Sequence, residues 1–497
     1  MNQPENRPLE GLEALFACFH ERLGDLTTCS ATRIDGLAKL SPTNDIHAIE
    51  ERAKVVVNSL VRAHPLLRST VRLDEEGTRH LAALDDESYW PKLQIEHEKD
   101  VSRPAETVEN EDETGWQYSL RREHDHRFVH DEALVRFLLH FPAEGNGSVY
   151  LILAAHHGLF DGRSLAILAK EFVSGLRRSL AQQGGTDHVP PSLQRTSSLV
   201  DLIGESFPDS GDVDNSAEFP DANKTYALDD TKLDNPSKVR YLYRKLSDVM
   251  VTKLAAKCRS DGLRLTSLII AAFTGPGLEC HLQRPDVIDS IGFQCCVDLR
   301  RYIKEDDDDP KARERALGNL YSIADLSVPV LSGNTSIEDC KATLVERSVA
   351  IQKELEEQLS DRRFLAGAHS ACVDELAKGA DELCHKVEAE GYHGRDFYSG
   401  VSNLGKLDIN DCVEQGDSSA KAAKVAIVAT EYWFMTRLAR VGTYCFFSCN
   451  YIPGYGMCIV FTRPDPICSL KSAIGIMERT MSTLETYAEG GILHSNR

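Results

Sequence analysis

None of the chain's 14 cysteines stands in a Cys-x-x-Cys pair, and no His/Cys cluster has the spacing of a zinc site. Cys295-Cys296 are vicinal; the others are mostly isolated in apolar runs, as expected of reduced thiols in a core. A disulfide framework and a cysteine nucleophile have no supporting pattern. Positive charge is also scarce. Lys and Arg number 56 against 77 Asp and Glu, a formal net charge of -21. That balance argues against a nucleic-acid binder and, more weakly, against binding to an anionic membrane. No stretch reaches the roughly 18 apolar residues of a membrane span. The opening Met-Asn-Gln-Pro-Glu-Asn-Arg has no apolar signal core, and the closing His-Ser-Asn-Arg matches no retention or peroxisomal address. A cytoplasmic location is therefore expected. The acidic run Glu305–Asp309 lacks the spaced ligands of a calcium loop, and no metal is expected. No internal repeat is visible.

What remains is a 497-residue chain of ordinary apolar content, long enough for two domains with full cores. Helical periodicity runs over 9–24 and 46–64, the second ended by Pro65. A strand-like Thr70–Leu73 follows. Residues 133–142 and 148–155 read as a β-hairpin around the turn 142–147. Leu165, Leu168, Phe172 and Leu176 then mark one face of a helix over 164–182. Residues 184–237 change character, with Gly-Gly, Pro-Pro, a Ser/Thr cluster and an acidic stretch, and read as a crossover. The pattern resumes with a strand at 239–244, helices near 251–258 and 261–273, a strand from Ile288, a long amphipathic helix at 337–359, a strand ending Ser402-Asn403-Leu404-Gly405, and a closing hairpin over 444–462. The expected organisation is an N-terminal lobe at 1–185, a linker at 186–237 and a C-terminal lobe at 238–497.

The segment with chemical content is His156-His157-Gly158-Leu159-Phe160-Asp161-Gly162, at the junction of the hairpin's second strand and the following helix. A lone histidine on a strand is usually a satisfied core residue, and Asp-Gly is usually a turn. The joint pattern HHxxxDG between a strand and a helix is far rarer. It fixes an imidazole, the side chain that takes and returns a proton near neutrality.

This pattern resembles the active-site motif of the CoA-dependent acyltransferase superfamily, which includes chloramphenicol acetyltransferase, alcohol O-acetyltransferases and the condensation domains of peptide synthetases. The resemblance implies an α/β fold of two chloramphenicol-acetyltransferase-like lobes, each a mixed sheet flanked by helices, with the active-site tunnel between them. It implies His157 as general base, Asp161 as organiser of the loop, Gly162 as the point where chain and substrate approach closely, and His156 as a support for the base. In the family an arginine after a strand pairs with the motif aspartate. Arg300 matches that place, with Arg301 as the fallback; a surface basic pair is the competing reading. The helix end His64-Pro65-Leu66-Leu67-Arg68 and the segment Gly318-Asn319-Leu320-Tyr321-Ser322 also resemble family segments, the latter one that lines the solvent channel. His64 fits a helix-end role, toward the last carbonyls and the dipole. Ser402 or Asn403 could donate to a tetrahedral oxyanion, and a plain turn fits them equally. The plant-type DFGWG motif is absent, which favours an alcohol-acetyltransferase or condensation-like branch.

The implied reaction moves an acyl group, most often acetyl, from acyl-CoA as co-substrate to the hydroxyl of a small secondary-metabolite alcohol, with no bound cofactor. An amine acceptor, a donor tethered to a carrier protein, and a cyclase-like or binding relative that keeps the tunnel are the alternatives.

Overall fold

The computed structural model describes residues 7–24, 26–37, 46–101, 113–129, 132–143, 147–181, 238–278, 290–303, 312–329, 337–361, 384–385, 397–411, 427–437, 443–465 and 468–490. The expected linker over 186–237 and the acidic run at 305–309 lie outside them.

The strands are β1 (Arg7–Pro8), β2 (Thr27–Asp35), β3 (Ser69–Leu73), β4 (Arg79–Ala83), β5 (Leu93–His97), β6 (Val135–Phe141), β7 (Val149–His156), β8 (Lys238–Leu246), β9 (Ser290–Asp298), β10 (Tyr321–Pro329), β11 (Phe397–Lys406), β12 (Val428–Thr436), β13 (Thr443–Ile452) and β14 (Gly456–Asp465). The principal helices are α1 (Gly11–Leu23), α2 (Ile46–Ala63), α3 (Gly115–Asp125), α4 (Gly162–Ala181), α5 (Asp248–Ser260), α6 (Leu265–Ala272), α7 (Ile337–Asp361) and α8 (Leu470–Ala488). None of the described helices is long and apolar enough to cross a membrane.

The chain forms two compact units, and neither is a continuous segment. The first combines residues 1–204, 299–320 and 406–437; the second combines 205–298, 321–405 and 438–497. Two pieces of the expected C-terminal lobe therefore fold with the N-terminal half. The cause is strand pairing. β12 adds antiparallel to β2, matching Tyr432 with Thr32 and Phe434 with Ser30.

The first unit is built on a five-stranded mixed sheet in the order β12-β2-β7-β6-β5. β7 is its central strand. Every residue from Val149 to His156 is buried, as expected of a strand covered on both faces. β6 and β7 form the hairpin, with Leu139 opposite Leu151. Helix α4 packs on β2 and β12, and α2 packs on α4. Leu165, Leu168, Phe172 and Leu176 of α4 are fully buried, one apolar stripe at helical spacing. Pro65 stops α2 by holding His64 in an extended conformation.

The second unit is built on a six-stranded sheet, β10-β9-β11-β13-β14-β8. Its helices α5, α6, α7 and α8 pack against one another, and the turn that continues α6 inserts Phe273 among Phe293, Phe447 and Phe461. Ser247 caps α5 and Ser469 caps α8, each accepting a backbone N–H from three residues ahead.

Candidate active site

The motif loop leaves β7 at its last residue. His156 pairs with Thr27 in β2, and the next residue's amide, that of His157, donates to the carbonyl of Leu26 at 2.9 Å. Leu26 is the one non-glycine residue with positive φ, 62°, among the described residues. Its N–H is tied to Arg437 at 3.0 Å. A leucine in the left-handed region costs of order 1–3 kcal/mol, and the bonds on either side hold it there, directly under the histidine. The loop then folds back on itself, as Leu159 and Phe160 donate to the carbonyl of His156.

His157 is buried, with its ring 5.2 Å from that of Phe16 on α1. Its Nδ1 lies 3.0 Å from the carbonyl oxygen of Phe160. A carbonyl only accepts, so Nδ1 carries the proton and the basic lone pair is on Nε2. Burial pushes the imidazole below its ordinary 6.5, only partly offset by the Phe160 carbonyl and the Asp161 charge. The ring is therefore neutral at pH 7. His124 on α3, also buried, is held well below 6.5 by burial and by the charges of Arg437 and His157.

His156 plays a different part. Its Nδ1 accepts the N–H of Gly158 at 3.1 Å, and its ring lies 4.5 Å from that of His20. It shapes the loop with its side chain as well as its carbonyl. Gly158 has no room for a Cβ, which would lie 2.9 Å from the His156 ring and 3.0 Å from the Glu13 carbonyl.

Asp161 and Arg300 come together as a buried, bidentate pair, both contacts 2.9 Å. Each is about 4% exposed. The carboxylate also accepts the N–H of Ser164 at 2.7 Å and that of Leu320 at 3.0 Å. It caps α4 while tying the loop to 299–320. Burial raises the pKa of this carboxyl, but the Arg300 charge and hydrogen bonds outweigh it and hold the group below the usual carboxylate range. Arg300 also donates to the Ala316 carbonyl and to Ser164 Oγ, both 3.0 Å away. Arg301 is exposed and stacks over Tyr302.

Ser164 was not singled out by the sequence reading. Its hydroxyl donates to the Gly318 carbonyl at 2.8 Å and accepts from the Gly318 N–H and from Arg300, each at 3.0 Å. The available signal was its place three residues after the capping aspartate. Gly318–Leu320, read by resemblance as lining a channel, supplies three backbone groups that grip the Asp161 loop.

Three expectations change. Gly162 opens α4, but the space at its missing Cβ is filled by the ring of Phe434, whose nearest atom would be 2.5 Å away. Its carbonyl accepts from Tyr432 at 3.1 Å. The close approach is the protein's own. Gly162→Ala is accordingly expected to lower stability by about 1–3 kcal/mol through overpacking, and Phe434→Leu in the same chain is expected to restore part of it. A thermal melt of the three variants checks this. Asn403 donates to Thr266 Oγ1 at 3.0 Å and accepts the Gly405 N–H at 2.9 Å. Its carboxamide is thus occupied in anchoring α6 and a turn. Ser402, also in the second unit, lies on the opposite strand face. Lastly, His64 meets Glu171 of α4 at 2.6 Å, so its side chain links two helices.

Among the described residues no group of His, Cys, Asp and Glu could hold a metal ion. The described cysteines are free thiols, nearly all buried. Burial pushes Cys295 up to about 12 and Cys258 up to about 11, which leaves both as thiols rather than thiolates.

No family model matches this sequence, and no curated protein matches it. Solved structures do. The trichothecene 15-O-acetyltransferase TRI3 of Fusarium sporotrichioides superimposes with a TM-score of 0.65 at 13% identity, over 97% of this chain and 95% of that one. The first condensation domain of the calcium-dependent antibiotic synthetase, in complex with a substrate analogue, gives 0.63 at 13% identity, with 97% of each chain covered. The EpoB NRPS cyclization-docking bidomain from Sorangium cellulosum gives 0.62 at 15% identity, over 99% of this chain and 86% of that one. The chain therefore has the mixed α/β fold of the acyltransferase and condensation-domain structures.

Proposed function

We propose that this chain is an O-acyltransferase that moves an acyl group, acetyl in the simplest case, from acyl-CoA to the hydroxyl of a small alcohol, with His157 as general base. The observation that carries this reading is the state of His157: a neutral imidazole, its proton fixed on Nδ1 by the Phe160 carbonyl, on a loop locked by the Asp161–Arg300 pair. That is what a general base needs before the acceptor arrives.

In the proposed reaction His157 Nε2 takes the proton of the acceptor hydroxyl as its oxygen attacks the thioester carbonyl. The tetrahedral intermediate collapses with cleavage of the C–S bond. The imidazolium returns the proton to the leaving thiolate, giving an ester and a free thiol. The histidine begins and ends neutral. Asp161 does not touch substrate; it is a positioning residue, since both its oxygens are already committed.

Likeness to an O-acetyltransferase and to synthetase domains supports a CoA donor and a carrier-bound donor about equally. The deciding assay follows free CoA with a panel of acyl-CoAs and mixed alcohols and amines. Release that depends on both the acceptor and His157 supports the proposal. No release with any acceptor, followed by transfer from a carrier-protein thioester, would replace CoA by the carrier.

The same assay reads the pH dependence. A base with a depressed pKa is competent above that pKa and lost as pH falls through it. kcat/KM is expected to be flat at neutrality and to fall on an acid limb with its midpoint below 6.5. A midpoint above 6.5 that persists in His157→Gln would belong to another group, and the base would need reassignment.

A further inference from the structure

Among the described residues, Asn319 is the one side chain with both ends of a carboxamide buried and unmatched. Neither Oδ1 nor Nδ2 has a hydrogen-bond partner, and the residue is 2% exposed. It is not free to relax. On one side Gly318 is fixed to Ser164 and Asp161 through its carbonyl, at 2.8 and 3.3 Å, and to Ser164 through its N–H. On the other, Leu320 donates to Asp161 and accepts the N–H of Leu299 at 2.9 Å. The network that sets the histidine loop therefore also sets Asn319. Burying a carboxamide without partners is costly, and leucine has nearly the same volume with no such cost. Groups of this kind persist where something outside the chain completes them.

We infer that Asn319 is an acceptor-binding residue whose carboxamide takes a neutral ligand group carrying a hydrogen-bond acceptor and a donor side by side, as a vicinal diol or hydroxy-ketone does. This rests on the acyl-transfer reading above. Neutrality follows from the surroundings. Arg300, the cation of the network that fixes Gly318 and Leu320, is already committed to Asp161, Ser164 and Ala316, so its charge is not left over to compensate an anion. The side-by-side requirement follows from the carboxamide itself, whose Nδ2 and Oδ1 are joined to one carbon. The amides of a pantetheine thioester are planar and trans, with N–H and C=O turned away from each other. One such amide cannot meet both ends, whereas two adjacent oxygens can.

The test uses the full chain and Asn319→Leu, with acetyl-CoA as donor and cyclohexanol or trans-cyclohexane-1,2-diol as acceptor. CoA release gives KM for each substrate, and melting with each alcohol in the absence of donor gives binding independently of chemistry. The expected result has three parts. Ligand-free Asn319→Leu melts above the wild type. The diol stabilises the wild type more than cyclohexanol does, and the variant loses that difference. KM for the diol rises about tenfold or more while KM for acetyl-CoA is unchanged. A variant that melts lower and keeps its preference for the diol would show a structural side chain and overturn the inference. So would a rise in KM for acetyl-CoA alone, which would place the carboxamide on the donor, and so would a wild type that melts no higher with diol than with cyclohexanol. If the wild type releases no CoA with either alcohol, the acyl-transfer reading fails on these acceptors, and the melting arm still decides whether Asn319 binds the diol.

Discussion

Replacing His157 by alanine is expected to lower kcat by about 10²–10⁴-fold while the protein keeps its fold. The structure separates the two effects. The hydrogen bond of the imidazole to the loop runs from Nδ1 to the Phe160 carbonyl. The loop is otherwise held by main-chain bonds, from His157 to Leu26 and from Leu159 and Phe160 to His156, and by the carboxylate of Asp161. Those survive truncation at the Cβ. Circular dichroism and a melting curve close to wild type, beside loss of acceptor-dependent CoA release, is the expected pair of results. Near-normal turnover would rule out His157 as the base. His156→Ala makes the informative contrast. It removes the acceptor of the Gly158 N–H and the ring beside His20, so it should cost stability first and rate only as a consequence.

The second large effect is expected at Arg300. Arg300→Met leaves the Asp161 carboxylate buried with two backbone N–H donors but no counter-charge. Breaking a buried pair from one side costs roughly 3–5 kcal/mol, and the loss of kcat should follow because the same carboxylate caps α4 and sets the loop. Asp161→Asn strands the guanidinium instead and should behave similarly. The double variant removes both charges and is expected to lose less than the sum of the two, since residues in one network do not add. Denaturant unfolding of the four proteins measures the coupling. Single variants with wild-type stability and rate would show that the pair does not organise the site.

Much of this was legible in the sequence, for identifiable reasons. β6, β7 and α4 carry strong local signals: two buried apolar strands around a Gly-Asn turn, then an apolar stripe at helical spacing. The motif loop stood out because its residue types are rare together. β2 was missed because Thr27-Thr28-Cys29-Ser30-Ala31-Thr32 shows no apolar run, yet those six residues are almost completely buried. Their burial comes from neighbours on both sides, β12 and β7, which local pattern does not announce. β12 has the aromatic content of a strand in Tyr432-Trp433-Phe434, but nothing nearby says that its partner lies near residue 30. The role of Gly162 depended on Phe434 and that of Asn403 on Thr266, again contacts made across long stretches of chain. Ser164 had a local cue, its spacing from Asp161, whereas the unmatched carboxamide of Asn319 is a property of packing alone.

The interrupted course of the first unit bears on how the protein is made. Asp161 meets Arg300, 139 residues later in the chain. At about 5–20 residues per second, synthesis leaves that carboxylate without its partner for roughly 7–28 s. β2 waits longer still, since the strand that covers its outer edge begins at Val428. During that interval the nascent chain presents an open β edge, the kind of surface that recruits other chains. A gene fragment ended within residues 186–237 would hold this state permanently, because it would encode the histidines without Arg300 or β12. Such a fragment is therefore poorly suited to expression as a free-standing N-terminal lobe, although the histidine motif and the helix behind it are complete within it.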